Sequence, residues 1–315
     1  MWIDWDVAAW IAFGLAAGVL ITRGVTGLVA VGVRATARET SLVLALYAVW
    51  QRVHELTVTK TEGAMENARW IYDFQHTLHI PDELAMQKAV LPHPWLVQAL
   101  NGYYAIVHVP ALIALLIWLF FRHRDQYPWV RNALALTTAG CLVLHTIPVA
   151  PPRMFPELGF VDTGLLYDQS VYGRGGSGIS SQVAAMASVH VGWALIVGLA
   201  AVVISKSRWR WLVLLHPVLT VVAVTATANH WYLDGIVAGM LLGLSLVLLW
   251  LVARLRRRLD GSPPRGAQYE PGEYDAHKRT GARDLRPEGA SPGDRGAGAV
   301  GGELDDPAVV AGRHP

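Results

Sequence analysis

The feature that most limits this chain is a series of apolar runs near the length needed to cross a bilayer. A membrane helix takes about 20 mostly apolar residues. Runs of that kind lie near residues 5–22, 101–121, 130–148, 184–205, 210–229 and 233–253. A further run near 40–55 is shorter and ends in charge, so six or seven spans are expected. The whole chain is 53% hydrophobic and 16% charged although its last fifth is polar, which concentrates the apolar residues elsewhere and disfavours a soluble enzyme. A net charge of +2, with the basic residues in short clusters, gives no footprint for nucleic acid. The lone Cys141 excludes an internal disulfide and any multi-cysteine metal site. The fold expected is an all-α, polytopic membrane helical bundle with a disordered C-terminal tail.

Basic residues set the expected orientation, because cytoplasmic loops are enriched in them. Arg23, Arg34 and Arg38 follow the first run, and Arg122, Arg124 and Arg131 follow 101–121. Lys206, Arg208 and Arg210 follow 184–205, and Arg254, Arg256, Arg257 and Arg258 follow 233–253. With seven spans all four clusters fall on one side, the cytoplasm. The N-terminus, 56–100, 149–183 and the turn near His230 then face out. The first run lacks the charged start and cleavage site of a signal peptide and reads as a retained span. The expected localisation is the cell membrane, multi-pass, with the C-terminus cytoplasmic.

Three units are expected: 1–39, a transmembrane helix and cytoplasmic loop; 40–255, a membrane catalytic domain; and 256–315, a disordered tail rich in Gly, Pro and charge. Within 60–90, Trp70, Ile71, Phe74 and Leu78 recur at helical spacing with Glu66, Arg69 and Asp73 between them. This reads either as an amphipathic helix on the outer interface or as a helix packed on the bundle.

Ionisable residues at span ends are costly in a membrane and mark candidate sites. In VAPPRMF, Arg153 follows two prolines that fix the backbone. Its guanidinium suits bidentate binding of phosphate, or of lipid headgroups. In AAMASVHVGWA, Ser188 and His190 stand where a helix begins after the Gly-rich YGRGGSGISS, and a helix N-terminus favours an anion. In TATANHWYLDGIVAG, His230 and Asp234 are four residues apart. A carboxylate bonded to one imidazole nitrogen leaves the other as nucleophile or base, although a structural His–Asp bond has the same spacing. Together these residues fit phosphoryl transfer: Arg for the anion, one His to attack, one to protonate the leaving group, and Asp to orient the nucleophile.

The three segments resemble the signature motifs of the type 2 phosphatidic acid phosphatase superfamily. PVAPPRMFPELGFVDT, AAMASVHVGWA and TANHWYLDGIVAG, with NGYYAIVHVPALIALLIWLF ahead of them, look most like the inositol phosphorylceramide synthase-like (inositolphosphotransferase) branch of actinobacterial type. The resemblance covers about residues 40–250. It implies a membrane-bound phosphatase or phosphotransferase working through a phosphohistidine intermediate at the extracytoplasmic face. His230 matches the nucleophile, Asp234 its orienting acid, and His190 the general acid. Arg153 and Ser188 match the phosphate-binding residues. It implies no metal and no cofactor. The implied substrate is a phospholipid or a polyprenyl- or sphingolipid-type phosphate, with an alcohol as possible acceptor. The chain departs from the phosphatase pattern at Thr146 and Val224, where basic residues are usual, and at Ala187 and Val189. Arg174 in the Gly-rich loop is a candidate to supply missing charge.

Two other functions bear comparison. A non-catalytic lipid-binding or transport protein on the same bundle would not need a nucleophile with its orienting acid. An intramembrane metalloprotease would need an HExxH, which is missing; His76 and His79 have metal-binding spacing without an evident third ligand. His108 and His145 lie in the spans near the site, either facing it or bonded to the backbone.

Overall fold

The computed structural model describes residues 3–57, 61–170, 183 and 186–259, and every regular element among them is helical. The described residues belong to one compact unit. The chain runs through α1 (Trp5–Ile21), α2 (Leu28–Thr57), α3 (Ala64–Thr77), α4 (Glu83–Val90), α5 (Pro94–Ile106), α6 (His108–Arg122) and α7 (Tyr127–Leu144). Then come the short α8 (Thr163–Leu166), α9 (Val189–Ile204), α10 (Leu215–Ala226) and α11 (Tyr232–Leu259). The expected all-α bundle is the observed architecture. The Gly-rich loop with Arg174 and residues 260–315 of the tail lie outside the described residues.

Three helical stretches are long and apolar enough to cross a membrane: Trp5–Gly24, Arg208–Ala226 and Tyr232–Leu259. The pair α5 and α6 passes together as a fourth, bent by 46° at Val107. Helix α9 is apolar but shorter, and α7 carries Arg131. Large apolar side chains point outward where a water-soluble surface would be polar: Trp10, Ile21, Val203 and Met240 are all more than two-thirds exposed. That surface suits lipid.

Two local expectations change. Arg34 and Arg38 do not lie in a loop, because α2 already begins at Leu28 and carries them on its first turns. The apolar LVAVGV ahead of Arg34 extends the helix back to within a few residues of α1, and Arg34 Nη1 caps carbonyls of Thr22 and Val25 at 2.8 and 2.6 Å. The span expected at 101–121 is two helices. Pro110 sits in the first turn of α6, where its missing N–H costs nothing.

The bundle is closed by small residues and by one ion pair. A Cβ added to Gly140 of α7 would meet Leu241 of α11 at 3.0 Å, and one on Gly198 of α9 would meet Pro217 of α10 at 3.0 Å. Such glycines let helix backbones approach closely. Glu39 of α2 pairs with Arg131 of α7, the acid being buried and the guanidinium side chain only 14% exposed. Pairing of this kind is what makes charge tolerable inside a bundle.

The ends of α7, α9, α10 and α11 that meet the 148–163 loop form one end of the bundle. There Trp231, 1% exposed, packs among Phe155, Phe160, Ile71 and Ala68, and its indole N–H donates to Ala150 O at 2.9 Å. Helices α3 and α4 cover this end. Helix α3 packs on the bundle: Ala64, Ala68, Ile71 and Gln75 form its buried face, while Trp70, Phe74 and Leu78 stay exposed.

Candidate active site

The turn between α10 and α11 aims His230. Helix α10 ends with Ala228 in the left-handed region at φ 54°, and the Asn229 and Ala228 N–H groups return to Val224 O and Thr225 O, both at 2.9 Å. This is a Schellman closure with alanine where glycine is usual. The chain leaves it at Asn229 and re-enters a helix at Tyr232. Asp234 is the third residue of α11, and its Oδ2 accepts the Trp231 N–H at 2.9 Å. A carboxylate there reaches back to cap the helix.

The same Oδ2 lies 3.2 Å from His230 Nδ1. Asp234 is fully buried and His230 is 6% exposed. Asp234 Oδ1 has no hydrogen-bond partner among the described residues. A Nδ1–H donated to Asp234 fixes the tautomer and leaves the Nε2 lone pair outward.

Ser188 caps α9: its Oγ accepts the Val191 N–H at 3.3 Å, and its own N–H donates to Asp234 O at 3.1 Å. The cap joins the start of α9 to the start of α11. His190, in the first turn of α9, then faces His230 with ring centroids 5.9 Å apart. Tyr104 covers another side of the His190 ring at 4.6 Å, and His108 meets it edge-on at 5.0 Å. Tyr104 and His108 reach His190 from the two sides of the α5–α6 bend.

Arg153 lies in a single turn of 3₁₀ helix set by Pro151 and Pro152, 6% exposed. Its backbone N–H donates to Ala228 O at 2.9 Å, and Nη1 donates to Asn229 Oδ1 at 2.6 Å. Nε stands 3.5 Å from Asp162 Oδ2. The guanidinium is thus tied to the residue before His230. Beside it a small polar pocket opens, lined by Asn101, Tyr104, Asp162, Gln169 and Asn229. Among the described residues Arg153 is the basic side chain of this site. Val224 is buried against Tyr104 and Val191, and Thr146 is exposed with its hydroxyl on Val143 O, so among the described residues no basic side chain takes the place of either departure.

All five predicted residues, Arg153, Ser188, His190, His230 and Asp234, therefore meet at one end of the bundle. His145 is nearby, with Nε2 3.2 Å from Ala187 O. His76 packs on Tyr72 at 4.4 Å, and no group of three or more His, Cys, Asp or Glu among the described residues is placed to hold a metal ion.

Sequence reading passed over Asn229, Asp162 and Tyr104, each of which lies inside a quoted motif. It also passed over Gln75, Glu83 and Gln87, at 2%, 1% and 0% exposure. Glu83 Oε1 accepts the Tyr232 N–H at 2.7 Å, and Gln75 Oε1 accepts the Leu233 N–H at 2.7 Å. Burial pushes the Glu83 carboxyl above its ordinary range, against the pull of hydrogen bonds from the Tyr232 N–H, its own N–H and Gln75. The signal available was a set of polar residues at helical spacing on the side of α3 and α4 opposite Trp70.

The arrangement can hold an anion at Arg153, present one imidazole nitrogen to it, and place a second imidazole alongside. A family model described as PAP2 superfamily matches residues 69–248 of the chain. No curated protein and no solved structure matches it.

Proposed function

The chain belongs to the PAP2 superfamily, a membrane family of lipid-phosphate phosphatases and phosphotransferases, and on that premise we propose that it transfers a phosphoryl group through a phosphohistidine at His230. The observation that carries this reading is the contact between Asp234 Oδ2 and His230 Nδ1 at 3.2 Å, with His190 facing the same imidazole. A merely structural His–Asp bond would not need a second histidine and a buried arginine at the same place.

In the first step His230 Nε2 attacks the phosphorus of a lipid phosphate ester held by Arg153 and Ser188. The Nε2–P bond forms, the bond from phosphorus to the leaving oxygen breaks, and His190 gives that oxygen its proton. In the second step water or an alcohol attacks the phosphorus, the N–P bond breaks, and His190 takes the proton of the attacking oxygen. Asp234 keeps the Nδ1–H of His230 in place and offsets the positive charge that imidazole gains. Water as acceptor makes the protein a phosphatase, and a hydroxyl-bearing lipid or polyol makes it a transferase of the inositolphosphotransferase type. Phospholipids and polyprenyl- or sphingolipid-type phosphates are the substrate classes that suit a site at the end of a membrane bundle.

The basic clusters lie at the ends of α9 and α11 away from the site: Lys206–Arg210 follow α9, and Arg254–Arg258 sit in the last turns of α11. By the positive-inside rule they support a multi-pass protein of the cell membrane with its site extracytoplasmic and its C-terminus cytoplasmic. The test is release of phosphate or headgroup from a panel of phospholipids by detergent-purified wild type and His230→Ala, with chelator present. Activity in the wild type alone is expected; equal activity in both proteins would exclude His230 as the nucleophile.

A further inference from the structure

The polar residues buried in α3 and α4 touch both halves of the site. On one side Glu83 and Gln75 take up the first two N–H groups of α11, those of Tyr232 and Leu233, at 2.7 Å each. On the other side Gln87 binds both backbone groups of Val161: its Nε2 donates to Val161 O and its Oε1 accepts Val161 N–H, each at 2.9 Å. Val161 precedes Asp162, whose carboxylate faces the Arg153 guanidinium. Gln75 Nε2 donates to Glu83 Oε1 at 2.9 Å and so ties α3 to α4.

We infer that Gln75, Glu83 and Gln87 are positioning residues that set the separation between the imidazole of His230 and the guanidinium of Arg153. The inference rests on the phosphoryl-transfer reading. Capping alone does not account for these residues. Asp234 already caps α11 from within, and a local Ser or Asp would complete the task. Instead the acceptors come from residues 149 and 158 positions away in the chain. Helix α4, tied to α3 by the Gln75–Glu83 bond, also grips the Arg153 side through the paired contact of Gln87 with Val161. In-line displacement at phosphorus is sensitive to such spacing, because a shift of about 1 Å between reacting groups costs on the order of 100-fold in rate. A rigid piece bonded to both halves fixes that spacing before substrate arrives.

The test uses the full chain in detergent and two anions measured by calorimetric titration. Orthovanadate, when five-coordinate, must reach His230 and Arg153 together. Inorganic phosphate needs the anion-holding side alone. Glu83→Ala and Gln87→Ala are expected to weaken vanadate about tenfold or more and phosphate by no more than about threefold, while Glu83→Gln, which keeps the acceptor oxygen, stays within about threefold of wild type for both. Wild-type vanadate affinity in both alanine variants would overturn the inference, as would equal weakening of the two anions, which reports a loosened fold. Should Glu83→Ala not fold, Gln87→Ala decides alone by the same criterion. A wild type that binds no vanadate would strike the phosphoryl-transfer reading itself and this inference with it.

Discussion

Asp234 Oδ2 serves His230 and the amino end of its own helix at once: it lies 3.2 Å from His230 Nδ1 and accepts the Trp231 N–H at 2.9 Å. The helix cap and the orientation of the imidazole are therefore one structural event. Any displacement of α11 displaces the carboxylate that His230 depends on.

The two roles separate by substitution. Asp234→Asn keeps an oxygen for the Trp231 N–H and is expected to hold thermal stability within about 1 kcal/mol while phosphate release falls about 100-fold or more. Asp234→Ala loses the cap as well and is expected to cost a further ~1–2 kcal/mol. Thermal melts in detergent beside phosphate-release assays check this.

Arg153 is held by Asn229 at 2.6 Å and faces Asp162, and its planar fork is matched to that pair. Arg153→Lys retains charge but not the fork, so a loss of about tenfold or more in kcat/KM is expected. Asn229→Ala, which removes the 2.6 Å bond, is expected to lose about tenfold, mostly in KM. Steady-state kinetics on any lipid phosphate that the wild type turns over distinguishes them.

The ring of Tyr104 lies 4.6 Å from that of His190. Tyr104→Phe keeps the ring and is expected to retain activity within about threefold, whereas Tyr104→Ala frees the imidazole and is expected to lower kcat about tenfold. The same lipid-phosphate assay reads both variants.

Glu83 gives a dependence on pH. Burial raises its carboxyl pKa in the folded protein above the ordinary 4.5. The fold thus holds this proton more tightly than the unfolded chain does. The contribution favours folding fully below pH 4.5 and is lost as pH climbs through the raised folded value. Glu83→Gln removes that titration. Its melting temperature relative to wild type is expected to rise as pH increases from about 4.5 toward 7, and a constant difference would contradict the assignment.

Much of this was legible in the sequence, and what was not has physical causes. The long helices follow from apolar run length, and α1 and α11 begin within a residue or so of the runs that predict them. The three polar motifs point to the five residues that meet, because charge at a span end needs a local reason. The bend at Val107 left no mark: hydropathy is continuous across it, and Pro110 sits past the break where a helix tolerates proline. Positive charge at Arg34 and Arg38 suggests a boundary, yet both ride on α2, where Arg34 caps the Thr22 and Val25 carbonyls and Arg38 pairs with Glu39. Gln75, Glu83 and Gln87 are polar residues at helical spacing, a pattern that a solvated face shares. Their partners are backbone groups of Tyr232, Leu233 and Val161, which lie 74 to 158 positions away in the chain, and no local pattern reports such bonds.

The central claim is that His230 carries the phosphoryl group. The most direct measurement incubates the full-length protein in detergent with a ³²P-labelled lipid phosphate, quenches in alkali and maps the label by peptide mass spectrometry. Acid-labile label on His230, lost in His230→Ala and accumulating in His190→Ala with an activated leaving group, is the predicted result. Turnover by wild type with label on another residue, or undiminished turnover in His230→Ala, would contradict it.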